Sequence, residues 1–205
     1  MILTNEEQTK IEMAVRSVEN TTSGEVVPAL LTQSDAYPAA HARVAILAAL
    51  IVPMIFFYLN FDFAHPLWPL FIQLPALVIG YFLAYIPRVK RFFTLKEEID
   101  EEVHQKALQM FYENKLTNTR DRTGILITVS LLEHRVEIIA DVGINEKVEK
   151  DTWEKLLVPL ISQIKKGKLA DGMVDIITTC GQLLSQHFPK KDDDENELSN
   201  KLIIE

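Results

Sequence analysis

The sequence predicts an α/β domain on a small sheet, interrupted by a two-helix transmembrane hairpin, and three observations carry that prediction. The first is a pair of β-branched, apolar runs at residues 123–130 and 135–140. Only Leu131, Leu132, Glu133 and His134 lie between them, so the second strand turns straight back as an antiparallel hairpin. The second is helical periodicity on both sides of that hairpin, as in Ile11, Val15 and Val18 or in Ile99, Val103, Ala107 and Met110. The third is the block from Val44 to Pro87, in which Asp62 is the one formal charge.

Length and composition agree with this plan. The chain has 205 residues, 24% charged and 48% hydrophobic, enough for one domain with its own core. A net charge of −8 argues against a nucleic-acid surface, because phosphate binding needs clustered Lys and Arg. Cys180 is the one cysteine and has no partner for a disulfide or a zinc site. The first residues have no basic region followed by an apolar run, which argues against a cleaved signal peptide.

Taken in order, Thr4 and Glu7 form a capping box that opens a helix over about 5–20. A turn through Gly24 leads into a strand at 25–32. Pro28 lacks a ladder donor, so the strand is expected at an edge or a bulge. Residues 44–59 and 66–86 then read as two apolar helices kinked at Pro53 and Pro75, with Tyr58, Phe61, Trp68, Tyr81 and Tyr85 as interfacial anchors. A small domain cannot bury two helices that are apolar all round, which makes a membrane hairpin the expected answer. Arg43, Arg88, Lys90 and Arg91 flank the pair, and the connection at 60–65 has no Lys or Arg. The positive-inside rule therefore expects an integral protein of the inner membrane with its hydrophilic part in the cytoplasm.

A long helix follows at 93–118, acidic at its start, and then the strand hairpin. In the second strand Val136, Ile138 and Ala140 share one face, and Arg135, Glu137 and Asp141 fall on the other, which is wet or a site. Asp151 is expected to cap a helix around Trp153, and Asp171-Gly172 to open the last helix, ending near His187. The resulting division is 1–42 and 92–189 as one hydrophilic domain, 43–91 as the membrane hairpin, and 190–205 as an acidic tail.

The strand after Ser23-Gly24-Glu25, the run Thr-Gly-Ile-Leu-Ile-Thr-Val-Ser-Leu from Thr123, and Arg-Val-Glu-Ile-Ile-Ala-Asp-Val-Gly-Ile from Arg135 resemble the TPM domain family. The likeness covers 1–35 and 93–198. It implies an αβα sandwich around a small mixed β-sheet, and it implies acid phosphatase activity or binding of Ca2+ or Mg2+. In this sequence the apolar hairpin is inserted inside the domain rather than trailing it.

If the first strand runs parallel to 123–130, the membrane insert leaves from the pole of the 131–134 turn. Asp141, the loop 117–122 and Thr21 to Gly24 then share the opposite pole. Asp141 and Asp121 are candidate hard-oxygen ligands there, against the plainer readings that Asp141 caps a turn and Asp121 pairs with Arg120 or Arg122. Asp193 and Asp194 lie in a tail expected to be solvated, or to fold back toward Asp141 around a cation. Its spacing fails as an EF-hand, with Glu197 at the sixth position and Ile203 at the twelfth. No phosphate loop, nucleophile elbow or His-Glu-x-x-His motif is present. The Arg88 to Arg91 cluster reads as a topology signal in contact with lipid headgroups.

The function expected is a membrane-anchored binding, assembly or regulatory module with the lipid bilayer and other membrane proteins as partners. The alternative is a metal-dependent phosphatase of low specificity.

Overall fold

The structure is a computed structural model and describes residues 3–59, 67–191 and 193–205. The expected connection at 60–65, with Phe61, lies outside the described residues. Its elements run α1 (Asn5–Glu19), β1 (Glu25–Leu31), α2 (Pro38–Tyr58), α3 (Trp68–Leu83), α4 (Pro87–Phe93) and α5 (Lys96–Glu113). After a 3-10 turn at Leu116–Asn118 come β2 (Gly124–Ser130), β3 (Arg135–Ala140), α6 (Val142–Asn145), α7 (Lys150–Lys165), α8 (Leu169–His187) and β4 (Ile203–Ile204). The chain divides into one unit of residues 1–34 with 101–205, and another of 35–100.

The first unit is built on a mixed sheet of order β3-β2-β1-β4. β1 runs parallel to β2 with Glu25 opposite Gly124, and β2 and β3 form the expected antiparallel hairpin. Side-chain alternation sends the two faces of the sheet to two cores. Val26, Leu30, Ile125, Ile127 and Val136 pack with Ile11 and Val15 of α1, Trp153 of α7 and Ile177 of α8. On the other face, Val27, Ala29, Leu31 and Leu126 pack with Ala107, Met110 and Phe111 of α5. The unit is thus an αβα sandwich. The capping box of α1 is complete, with Glu7 N donating to Thr4 Oγ1 at 3.2 Å and Thr4 N to Glu7 Oε2 at 2.8 Å.

Pro28 falls where its missing donor does least harm. Glu25 N donates to Thr123 O, and Leu31 O accepts from Leu131 N, so odd positions of β1 face β2. Leu30 O and Thr32 N instead bond Glu205 of the tail, and Val26 N reaches Glu19, so even positions, Pro28 among them, face outward. On that outer side β4 pairs only with Ala29 and Leu30.

Three expectations are corrected. The helix expected at 93–118 is two helices and a turn, because Thr94 ends α4 in an extended conformation and Glu98 Oε2 accepts from Leu95 N to begin α5. The helix around Trp153 has Glu149 at its N-cap rather than Asp151. The tail folds back instead of extending into solvent: Lys106 Nζ holds Glu205 at 2.7 Å, and the last residues form β4.

In the second unit, α2 and α3 pack antiparallel. A Cβ on Gly80 would stand 2.7 Å from Ala48 Cβ and 2.9 Å from Val44 O, so only glycine permits this approach. Five residues on, Tyr85 meets the buried His41 ring at 4.6 Å. By itself α2 is long and apolar enough to cross a membrane; α3 meets that test only together with α4, from which it is bent by 103°. The outward surface is apolar, with Met54 73%, Phe57 80% and Leu74 68% exposed. Arg43, expected as a topology charge, is engaged by Glu98 at 2.5 Å.

Candidate functional site

The pole where β1 and β2 begin and β3 ends gathers the acidic residues singled out in the sequence. The structure partners three of them with cations. Asp141 accepts two bonds from Arg122, Nε at 2.6 Å and Nη2 at 2.8 Å, and caps α6 by accepting from Val142 N at 2.7 Å. Gly143 closes this turn, because a Cβ there would stand 2.5 Å from Asp121 O. Asp121 receives Lys191 Nζ at 2.5 Å, and Asp193 receives Arg120 at 3.0 Å. Those hydrogen bonds hold the Asp121 and Asp193 carboxyls below the usual carboxylate range. The plainer reading of Asp141 as a cap is therefore correct, while Asp121 pairs with Lys191 rather than with Arg120 or Arg122.

Asp194 is placed differently. It lines a cavity of about 230 Å³ with Glu19, Glu25 and Lys190, and with the amides of Asn196 and Asn200. Glu19 comes from the last turn of α1 and Glu25 opens β1, so the 20–24 turn brings the two carboxyls together. Glu19 Oε1 accepts from Val26 N at 3.4 Å, and its Oε2 accepts from Asn200 Nδ2. Glu25 Oε1 accepts from Glu197 N at 3.0 Å. Glu25 Oε2 has no partner, although the residue is only 5% exposed. Burial, reinforced by the neighbouring Glu25 charge, pushes the Glu19 carboxyl up to about 8, and burial raises Glu25 as well.

The tail makes this enclosure. Thr22 bridges to Pro189, Lys190 Nζ donates to Glu19 O at 2.9 Å, and Glu197 accepts from Arg120 N at 2.8 Å. Sequence reasoning missed Glu19 and Glu25 as a pair. The available signal was positional: a Glu at the head of a buried parallel strand, five residues after the last turn of an amphipathic helix, has nowhere to go but inward. Among the described residues, no three His, Cys, Asp or Glu side chains converge as a ready metal cage. The buried thiol of Cys180, pushed up to about 12, lies in the α1–α8 core and is no nucleophile.

The geometry defines a class: an αβα domain on a small mixed sheet whose acidic pole is closed by its own C-terminal segment. Residues 89–183 match the family described as TPM domain. The fold is also similar to the NMR structure of BA42 protein from the psychrophilic bacterium Bizionia argentinensis. That chain is 25% identical, with a TM-score of 0.63 over 99% of this chain and 95% of that one. No curated protein matches the chain.

Proposed function

We propose that this chain is a membrane-anchored TPM-domain protein, a binding, assembly or regulatory module for other membrane proteins, which takes a divalent cation at its acidic pole. The observation that carries the anchoring is the surface of α2, whose mean hydropathy is 2.0 and of whose apolar stretch only 22% is buried. In water, exposed side chains such as Phe57 and Tyr58 would form an apolar patch far beyond what a monomeric soluble domain tolerates. A bilayer core about 30 Å thick matches the roughly 32 Å length of a 21-residue helix. By the flanking charges, the sandwich unit lies on the cytoplasmic side of the inner membrane.

For the cation, the fit rests on Glu25 Oε2, a buried oxygen without a donor. Glu19, Asp194 and the amides of Asn196 and Asn200 line the same cavity, with Arg16 and Lys190 beside them, and these hard oxygens would have to draw together to hold Ca2+ or Mg2+. Asp121, Asp141 and Asp193 serve such a site from outside, by holding the loop and the tail in place. A bound cation would neutralise the paired carboxyls and fasten the tail. Because the Glu19 carboxyl must first lose its proton, affinity should rise with pH.

Two measurements test this. Retention of the chain in membranes after alkaline carbonate extraction supports the anchoring, and release into the supernatant refutes it. Saturable Ca2+ or Mg2+ binding in calorimetry, abolished by Glu25→Gln, supports the cation, and a flat wild-type titration refutes it. Hydrolysis of a generic aryl phosphate by the loaded protein, lost in Glu25→Gln, would replace the binding module with the phosphatase.

A further inference from the structure

The sharp turn between α3 and α4 has a local cause. Ile86 adopts φ −69° and ψ 120°, the extended conformation that a following proline imposes. Pro87 then occupies the first position of α4, where its fixed φ suits a helix and its missing N–H is not needed. The helix axes consequently differ by 103°. At the far end of α4, Arg43 Nη1 donates to Phe93 O at 2.9 Å while the same guanidinium grips Glu98. Both ends of α4 are therefore fixed. With α2 crossing a bilayer and α3 packed antiparallel on it, a helix set at this angle to α3 lies along the bilayer surface.

The composition of α4 suits that position. Arg88, Lys90 and Arg91 fall within its seven residues, and no carboxylate occurs between Asp62 and Glu97. Arg88 is exposed and Arg91 half-buried, whereas Lys90 is buried, so in a chain of net charge −8 it is chiefly Arg88 that an anionic surface attracts here. Within α4, Arg88 and Phe92 stand four residues apart on one exposed stripe, Phe92 at 81%. A cationic side chain beside an aromatic one is the pattern of a helix half-sunk between headgroups and acyl chains.

We propose that α4 is an interfacial helix that docks on anionic phospholipid, with Phe92 entering the boundary of the acyl chains and Arg88 meeting lipid phosphate. The apolar surface of α2 and α3 continues into this stripe through the exposed Tyr85 and Ile86, so the lipid that surrounds the hairpin is also what covers α4. The inference rests on the membrane anchoring proposed above and adds a preference for negatively charged lipid.

The test uses the full chain with Phe92→Cys, spin-labelled and reconstituted in vesicles of phosphatidylcholine alone or with about one-third phosphatidylglycerol. Cys180 is buried with a thiol that hardly ionises, so the label goes to position 92. Alkaline carbonate resistance of the same vesicles reports anchoring separately. The expected result is an oxygen-accessible, water-shielded label at headgroup depth in phosphatidylglycerol vesicles. It should shift toward water in phosphatidylcholine, at high salt and in Arg88→Gln, with docking weakened about fivefold per lost charge. A water-exposed label in carbonate-resistant, phosphatidylglycerol-containing vesicles overturns the docking. Equal depth in both lipids overturns the preference for negative charge. Loss of the chain on carbonate extraction overturns the anchoring and this inference with it.

Discussion

Two buried glutamates stand at opposite ends of the same sheet, and they are satisfied to very different degrees. Glu133, 1% exposed in the β2–β3 turn, accepts from Ser34 N and Ser34 Oγ, both at 2.8 Å, and from Ser130 Oγ. Glu25, 5% exposed at the head of β1, has one backbone donor on one oxygen and none on the other. A carboxylate surrounded by donors is a structural clamp, here tying the end of β1 to the hairpin turn. A carboxylate buried with an empty oxygen carries an uncompensated desolvation cost, and such costs persist where a ligand or proton relieves them.

The comparison breaks most readily at Glu133. Glu133→Ala strands the Ser34 and Ser130 donors and should cost about 2–4 kcal/mol in urea unfolding followed by Trp153 fluorescence. Glu25→Gln removes a buried charge that lacks compensation, so it should leave the midpoint within about 1 kcal/mol of the parent while abolishing cation binding. Equal losses in the two variants would erase the distinction between clamp and site.

Acidity sharpens the contrast further. The folded value near 8 for Glu19 lies above the ordinary 4.5, so its proton favours the folded state. The stability it contributes is complete below about pH 4.5 and is lost as pH rises through about 8. Melting in chelator should fall across that window, with protection of β4 amides falling in parallel, and Glu19→Gln should flatten both curves. Asp121 and Asp193 act in the reverse sense, contributing above the ordinary 3.8 and losing that contribution in stronger acid. Among the ion pairs, Arg122→Ala should lower the midpoint by less than Glu133→Ala, because Asp141 keeps its bond from Val142 N. Arg120→Ala, at an exposed pair, should leave the midpoint unchanged in thermal scans.

The sandwich was legible in the sequence wherever local chemistry sets local structure. Thr4 and Glu7 and the two β-branched runs stand as read, while Pro28 lies in an inner strand, on the side that faces the short β4 rather than at an edge or a bulge. The poles followed from the directions of three strands. Failures arose where the deciding contact is distant or brief. The break after Phe93 rests on short contacts inside a continuous apolar stripe, Thr94 turning its hydroxyl back to Lys90 O while Glu98 accepts from Leu95 N. The tail looked solvated because residues 190–197 are all polar or charged, yet Leu202, Ile203 and Ile204 find β1 and return it to the domain. Asp121 and Asp141 were expected at this pole and Asp193 and Asp194 in a solvated tail or folded back toward Asp141, but the partners Lys191, Arg122 and Arg120 come from chain segments whose proximity no spacing reveals. Glu19 and Glu25 were missed for the same reason, since burial of a charge is a tertiary fact.

Pro28 has one further consequence, for neighbours rather than for the fold itself. An open strand edge invites copies of a chain to stack into fibrils. Along the outer edge of β1, Val26 N is taken by Glu19, Pro28 has no N–H to give, and Thr32 N is held by Glu205. An incoming strand meets no uninterrupted ladder of donors. That side of β1 therefore offers no template for aggregation.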